Sequence, residues 1–218
     1  MGMINLVLER KLAAADIAIS NALADEGIRE TLSRFAYKPE RLKQGLGLYK
    51  TAGKLYQEQL DCKAVQYKAM EKLQEILGQA KKKYILFRSV SRLALRDHAP
   101  LRNILALEGR SKRGLGAWME EARLFYTNTL AHDDILEKLA GFAVTKEDLQ
   151  EGKKLVDEVE KAAAFHQLQK GKVQQATKKR DQAFKALDAW MRDFWEICRL
   201  ALADTPQKIA KLKMKKSK

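Results

Sequence analysis

Arg92-Leu93-Ala94-Leu95-Arg96-Asp97 returns 107 residues later as Arg199-Leu200-Ala201-Leu202-Ala203-Asp204. Each copy closes a long run of helix-type sequence, and the offset is close to half of the 218 residues. Between residues 8 and 97 about a quarter of the positions are identical at that fixed offset without a gap, and most of these are core-type residues. The two halves therefore read as copies of one unit.

Composition says what the unit is made of. Only three prolines and twelve glycines interrupt a chain that is 46% hydrophobic. Ala, Leu, Lys, Glu and Gln dominate, the vocabulary of long helices, so an all-α fold is expected. The formal net charge is +14. The excess lies in the first half and in the last eleven residues, which hold Lys208, Lys211, Lys213, Lys215, Lys216 and Lys218. A field of that sign favours polyanion contacts without bearing on the fold.

Outward from the repeated phrase, the same boundaries recur. Leu8, Leu12, Ala15, Ile19, Ala22 and Leu23 share one face of a first helix of about six turns; their counterparts are Leu115, Met119, Ala122, Tyr126, Thr129 and Leu130. A short second helix follows, started by Asp25 as an N-cap in the first copy, with Ile28, Leu32 and Phe35 matched by Ile135, Leu139 and Phe142. Pro39 in one copy and Thr145 with Asp148 in the other mark the next helix start by two different chemistries. Helix-type sequence then runs for more than fifty residues to Ala94 and to Ala201. A single helix of that length would extend roughly 80 Å, beyond globular norms. The apolar stripe turns polar near Gln59 and Gln66, and again near His166, Gln169 and Gly171. The reading is a hairpin turn near residues 60–64 and 167–171, with one continuous helix in an antiparallel coiled coil as the alternative. Pro100 and Pro206 restart a last short helix in each copy.

The expected architecture is two tandem homologous helical-bundle units packed about a pseudo-twofold. Residues 1–108 form the first, 109–114 a basic linker, 115–207 the second and 208–218 a frayed lysine-rich tail. Phe35-Ala36-Tyr37, Leu42 to Gly45 and Arg92 to Asp97, with Phe142-Ala143-Val144, Leu149 to Gly152 and Arg199 to Asp204, also carry a resemblance. On these motifs the chain resembles an uncharacterised group of bacterial all-helical tandem-repeat proteins. The resemblance implies a tandem helical architecture in a bacterial protein and no particular activity.

Function is read from what the residues can do. Cys62 and Cys198 stand apart with no metal or disulfide spacing, and His98, His132 and His166 share no ligand spacing with one another. No phosphate loop, nucleophile elbow or paired-carboxylate pattern occurs, so neither an enzyme nor a cofactor is expected. No apolar run approaches the ~20 residues of a membrane span, and Met3 to Leu8 followed by Glu9-Arg10-Lys11 reverses the charge order of a signal peptide. A cytoplasmic chain without membrane contact is expected.

The expected role is a non-catalytic interaction or scaffold protein that binds a protein partner or itself. The alternative is a nucleic-acid or polyanion binder using the basic first unit, the linker and the tail. Candidate contacts are Arg92 and Arg199, which could hold an anion or end their helices; the basic runs Lys81-Lys82-Lys83 and Arg110, Lys112, Arg113; and Trp190 and Trp195 as interface anchors, of which at least one should sit at the edge of the core.

Overall fold

A computed structural model of the chain describes residues 3–214. Eight helices occur among these residues: α1 (Met3–Ala24), α2 (Glu26–Ser33), α3 (Pro39–Ala94), α4 (Ala99–Ile104), α5 (Leu115–Ala131), α6 (Asp133–Ala140), α7 (Lys146–Ala201) and α8 (Pro206–Lys213). The chain is all-α. The bounds of α6 and α7 are those of α2 and α3 displaced by 107 residues.

Local chemistry explains where the helices start and stop. The Asp25 carboxylate accepts the Ile28 N–H at 3.1 Å, which caps α2 and holds that carboxyl below its ordinary value. At the start of α7 the Thr145 hydroxyl accepts the Asp148 N–H while the Asp148 carboxylate accepts the Thr145 N–H, each at 3.1 Å, a reciprocal capping box. Both α2 and α6 end on a left-handed alanine, Ala36 (φ 64°) and Ala143 (φ 57°). Behind each, the chain turns back through a bond from Tyr37 N to Leu32 O or from Val144 N to Leu139 O. This is a Schellman closure with alanine where glycine is usual.

The expected hairpins are not formed. Residues 60–64 and 167–171 lie inside α3 and α7, each an uninterrupted helix of 56 residues. Polar residues interrupt the apolar stripe without breaking the backbone ladder. Gln59 and Gln169 sit buried at inward positions, and no proline forces a turn.

Continuity alters the domain plan. The chain divides into one unit of Met1–Lys63 with Lys172–Lys218 and a second of Ala64–Gly171, instead of residues 1–108 and 115–207. Because the long helices do not fold back, each unit combines the start of one long helix with the end of the other. In the first unit Tyr56 packs edge-on against Phe184, and Tyr37 packs against Trp190 and Phe194. Residue numbers fall along α7 as they rise along the other strand of contacts, so the segments are antiparallel. In the second unit Lys83 of α3 pairs with Glu151 of α7, and Val65 to Ile76 lie beside Phe165 to Glu158. The sense is again antiparallel.

One hydrogen bond recurs in both units and makes the exchange explicit. The Asn21 side-chain amide donates to Lys211 O of α8 at 2.8 Å, and that of Asn128 donates to Ile104 O of α4 at 2.7 Å. The two donors are 107 residues apart, as are the two acceptors, and in each case the first helix of one copy holds the last helix of the other.

The lysine-rich tail also differs from expectation. Through Lys213 it is α8, anchored by the fully buried Leu212. Lys208 donates to Gly27 O, Lys211 pairs with Asp25 at 3.2 Å, and the Lys213 ammonium lies over the Trp195 ring. Lys215, Lys216 and Lys218 lie outside the described residues. The basic linker is non-helical, and α5 begins only after it, at Leu115, so this first helix of the second copy has 17 residues against 22 in α1.

Two glycines mark close approaches that the copies fill differently. A Cβ at Gly45 would run into the Trp190 indole, and one at Gly152 into the Tyr126 ring. Replacing Gly152 by alanine should cost about 1–3 kcal/mol through overpacking, although alanine is the better helix former. Ala143→Gly should instead stabilise by about 1 kcal/mol through relief of the left-handed alanine. Thermal melts of the two variants check both signs.

Candidate functional site

An open apolar surface in the second unit lies between α3 and α7. Val65, Ala69 and Ile76 on α3 share a helical stripe with Lys68 and Lys72, and Ala162 and Phe165 on α7 share one with Glu158 and Lys161. On the inner side of the same helices Leu73, Ile76, Ala80, Val156 and Val159 close the core. The outer edges stay apart, leaving an open groove of about 530 Å³. Val65 is 44% exposed and Phe165 50%. These are large apolar side chains held at a water boundary, where covering the half still exposed would stabilise each by about 1 kcal/mol.

The corresponding surface of the first unit carries different residues. At the 107-residue offset, Val65, Ile76 and Phe165 are replaced by Lys172, Ala183 and Glu58. Glu58 pairs with Lys54 one helical turn away at 3.9 Å. Lys161, the counterpart of Lys54, has Phe165 in place of that glutamate. Among the described residues it has no carboxylate within ion-pair distance.

A second, polar arrangement occupies the same unit. Glu121 on α5 accepts the Tyr84 hydroxyl at 2.7 Å and the Lys112 N–H at 2.7 Å, with Ser111 Oγ at 3.3 Å. Its carboxylate lies 3.6 Å from Arg88 Nε, and both side chains are nearly buried. Burial alone would raise the Glu121 carboxyl. The Lys112 N–H, the Tyr84 hydroxyl, the Arg88 charge and Ser111 together outweigh it and hold the group below its ordinary value. The Arg88 guanidinium also reaches the carbonyls of Ala106, Glu108 and Gly109 at 3.3–3.5 Å. These bonds tie the segment between α4 and α5 to the core, because its backbone has no helix ladder to satisfy it.

The residues singled out by sequence fall on both sides of that distinction. Arg92 is committed to the linker, donating to Leu107 O at 2.8 and 2.6 Å and to Gly109 O at 2.5 Å. Arg199 is exposed at the end of α7 in the other unit, so the structure does not bring the two arginines into one unit. Lys81 lies over the Trp118 ring at 5.6 Å, Lys83 pairs with Glu151, and Lys82 is exposed. Arg110 and Lys112 border a cavity of about 400 Å³ beside Glu108, Glu120 and Glu121, so charges of both signs meet there. Arg113 is exposed. Trp190 and Trp195 are both partly buried and flank Phe194, one stacked at 5.2 Å and the other edge-on at 5.5 Å. They serve the core of the first unit.

Val65, Phe165 and Arg88 were not singled out by the sequence reading. Their signal lay in the mismatches of the repeat: Val65 against Lys172, Phe165 against Glu58, and Arg88 against Trp195. No group of His, Cys, Asp or Glu able to hold a metal occurs among the described residues, and none of their helices is long and apolar enough to cross a membrane. Burial pushes the Cys198 thiol up to about 12, which keeps it protonated. No known protein family, curated protein or solved structure matches the chain.

The Glu121 arrangement sets a pH dependence. Its carboxyl titrates below the ordinary value of 4.5 in the folded chain. The stabilisation is therefore present above that value and lost as pH falls through the folded one. Glu121→Gln should flatten the acid side of a stability-versus-pH curve, and Arg88→Met should cost on the order of 2 kcal/mol at neutral pH by leaving the carboxylate without its cation. Denaturant titrations from acidic to neutral pH check both.

Proposed function

We propose that the chain is a non-catalytic helical scaffold that acts by docking another protein, and that it arose by duplication of a helical repeat of about 107 residues. The docking reading rests on one observation: the groove lined by Val65, Ala69, Ile76, Ala162 and Phe165 keeps the Val65 and Phe165 side chains about half exposed to water, where the other half of the chain has Lys172 and Glu58 at those two positions. The buried polar groups offer a less suitable alternative, since Arg88, Arg92 and Glu121 are already engaged in holding a loop. Duplication is supported by the shared helix bounds and by the paired Asn21 and Asn128 hydrogen bonds.

The polyanion reading is supported by the charge of +14 alone. It is weakened by Lys81, Lys83 and Arg92, each of which has a partner within the fold.

A photo-cross-linking residue placed at position 165 in the full chain, expressed in its native cell, tests the docking reading. The expected result is a small set of discrete adducts that are absent when the same residue is placed at position 58. Equal labelling from both positions, or reproducible substrate turnover lost on mutation of a single residue, would contradict the proposal.

A further inference from the structure

We infer that the occupant of the Val65–Phe165 groove is an acidic amphipathic helix of a partner protein. The inference rests on the docking reading above and adds the chemistry of the ligand. Shape comes first. The groove runs between two antiparallel helices and is lined at positions i, i+3, i+4, i+7 and i+11 on α3, and i, i+3, i+4 and i+7 on α7. A third helix laid along it, with apolar residues at the same spacing, would bury Val65 and Phe165 and fill a space of about 530 Å³.

Charge then selects among helices. Three lysines, Lys68, Lys72 and Lys161, border the apolar strip against one carboxylate, Glu158. Lys72 has an intrahelical partner in Glu75 at 3.1 Å, but both side chains are well exposed and their mutual attraction is weak. Lys161 has Phe165 where its counterpart Lys54 has the pairing Glu58, so the apolar anchor and an ammonium without a carboxylate within ion-pair distance among the described residues stand one helical turn apart. Glutamates or aspartates flanking the apolar face of an incoming helix would meet these ammonium groups. A second copy of this chain is disfavoured, because an isologous contact through this face would gather three lysines from each copy at one interface.

The test uses the full chain and two dye-labelled, lactam-stapled helical peptides of about five turns. Both carry leucines at i, i+3, i+4 and i+7; one has glutamates on the flanks and the other lysines. Fluorescence anisotropy should show the glutamate peptide binding on the order of tenfold or more tighter than the lysine peptide. Phe165→Glu, which installs the residue of the other copy at an exposed site, should weaken the glutamate peptide on the order of tenfold. Lys161→Glu should reverse the preference between the peptides.

Equal affinity for the two peptides, both lost in Phe165→Glu, would overturn the acidic class while leaving a docking groove. Absence of binding by either peptide, or binding unaffected by Phe165→Glu, would overturn the groove itself. Concentration-dependent dimerisation lost in Phe165→Glu would assign the surface to a second copy and overturn the inference. Circular dichroism of each variant should match the parent chain, since residues 161 and 165 are exposed.

Discussion

The architecture depends on the unbroken backbone of α3 and α7. A helix of 56 residues has to bury its apolar stripe along its whole length, and neither copy alone supplies a partner that long within its own half. Each long helix therefore packs its first part in one unit and its second part in the other. The consequences follow from that constraint. The compact units are assembled across the two copies, and α4 and α8 are each held by an asparagine from the other copy. The groove exists only because the later part of α3 lies beside the earlier part of α7.

On this common frame the two halves of the chain differ in what fills equivalent spaces. The close approach at Gly45 is occupied by Trp190 and that at Gly152 by Tyr126, large rings contributed by different helices. Arg88 with Glu121 anchors a long connection between α4 and α5, whereas the Arg88 counterpart is Trp195, an aromatic against Phe194. Core positions tolerate such exchanges as long as volume is filled, and here Trp190 Nε1 and the Tyr126 hydroxyl are buried without a hydrogen-bond partner among the described residues. The surface changes at Val65 and Phe165 are of another kind. They leave about half of each apolar side chain in water.

Much of the local structure was legible because it is local. Pro39, the Thr145–Asp148 capping pair and the Asp25 cap fixed helix starts within the sequence window that contains them. The all-α class followed from composition and the 3/4 spacing of apolar residues. The path of the long helices was not legible, since polar Gln59 and Gln169 suggest a turn when read alone and a buried polar position when a neighbouring helix covers them. Lys208, Lys211 and Lys213 likewise read as solvated charge until Leu212 docks and makes a helix of their segment. As for the groove, its residues are ordinary members of a helical stripe. Only the pairing of α3 with α7 shows which of them remain uncovered, whereas several of the charges and both tryptophans that stand out in the sequence, among them Lys83, Arg92, Trp190 and Trp195, are used within the fold.

Amide hydrogen exchange read by mass spectrometry across residues 56–70 and 163–177 tests the central claim most directly. Continuous helices predict that residues 60–64 and 167–171 exchange as slowly as the helical turns on either side. Rapid exchange confined to those two segments, with protected flanks, would mean that the chain folds back there. It would contradict both the exchanged units and the groove built on them.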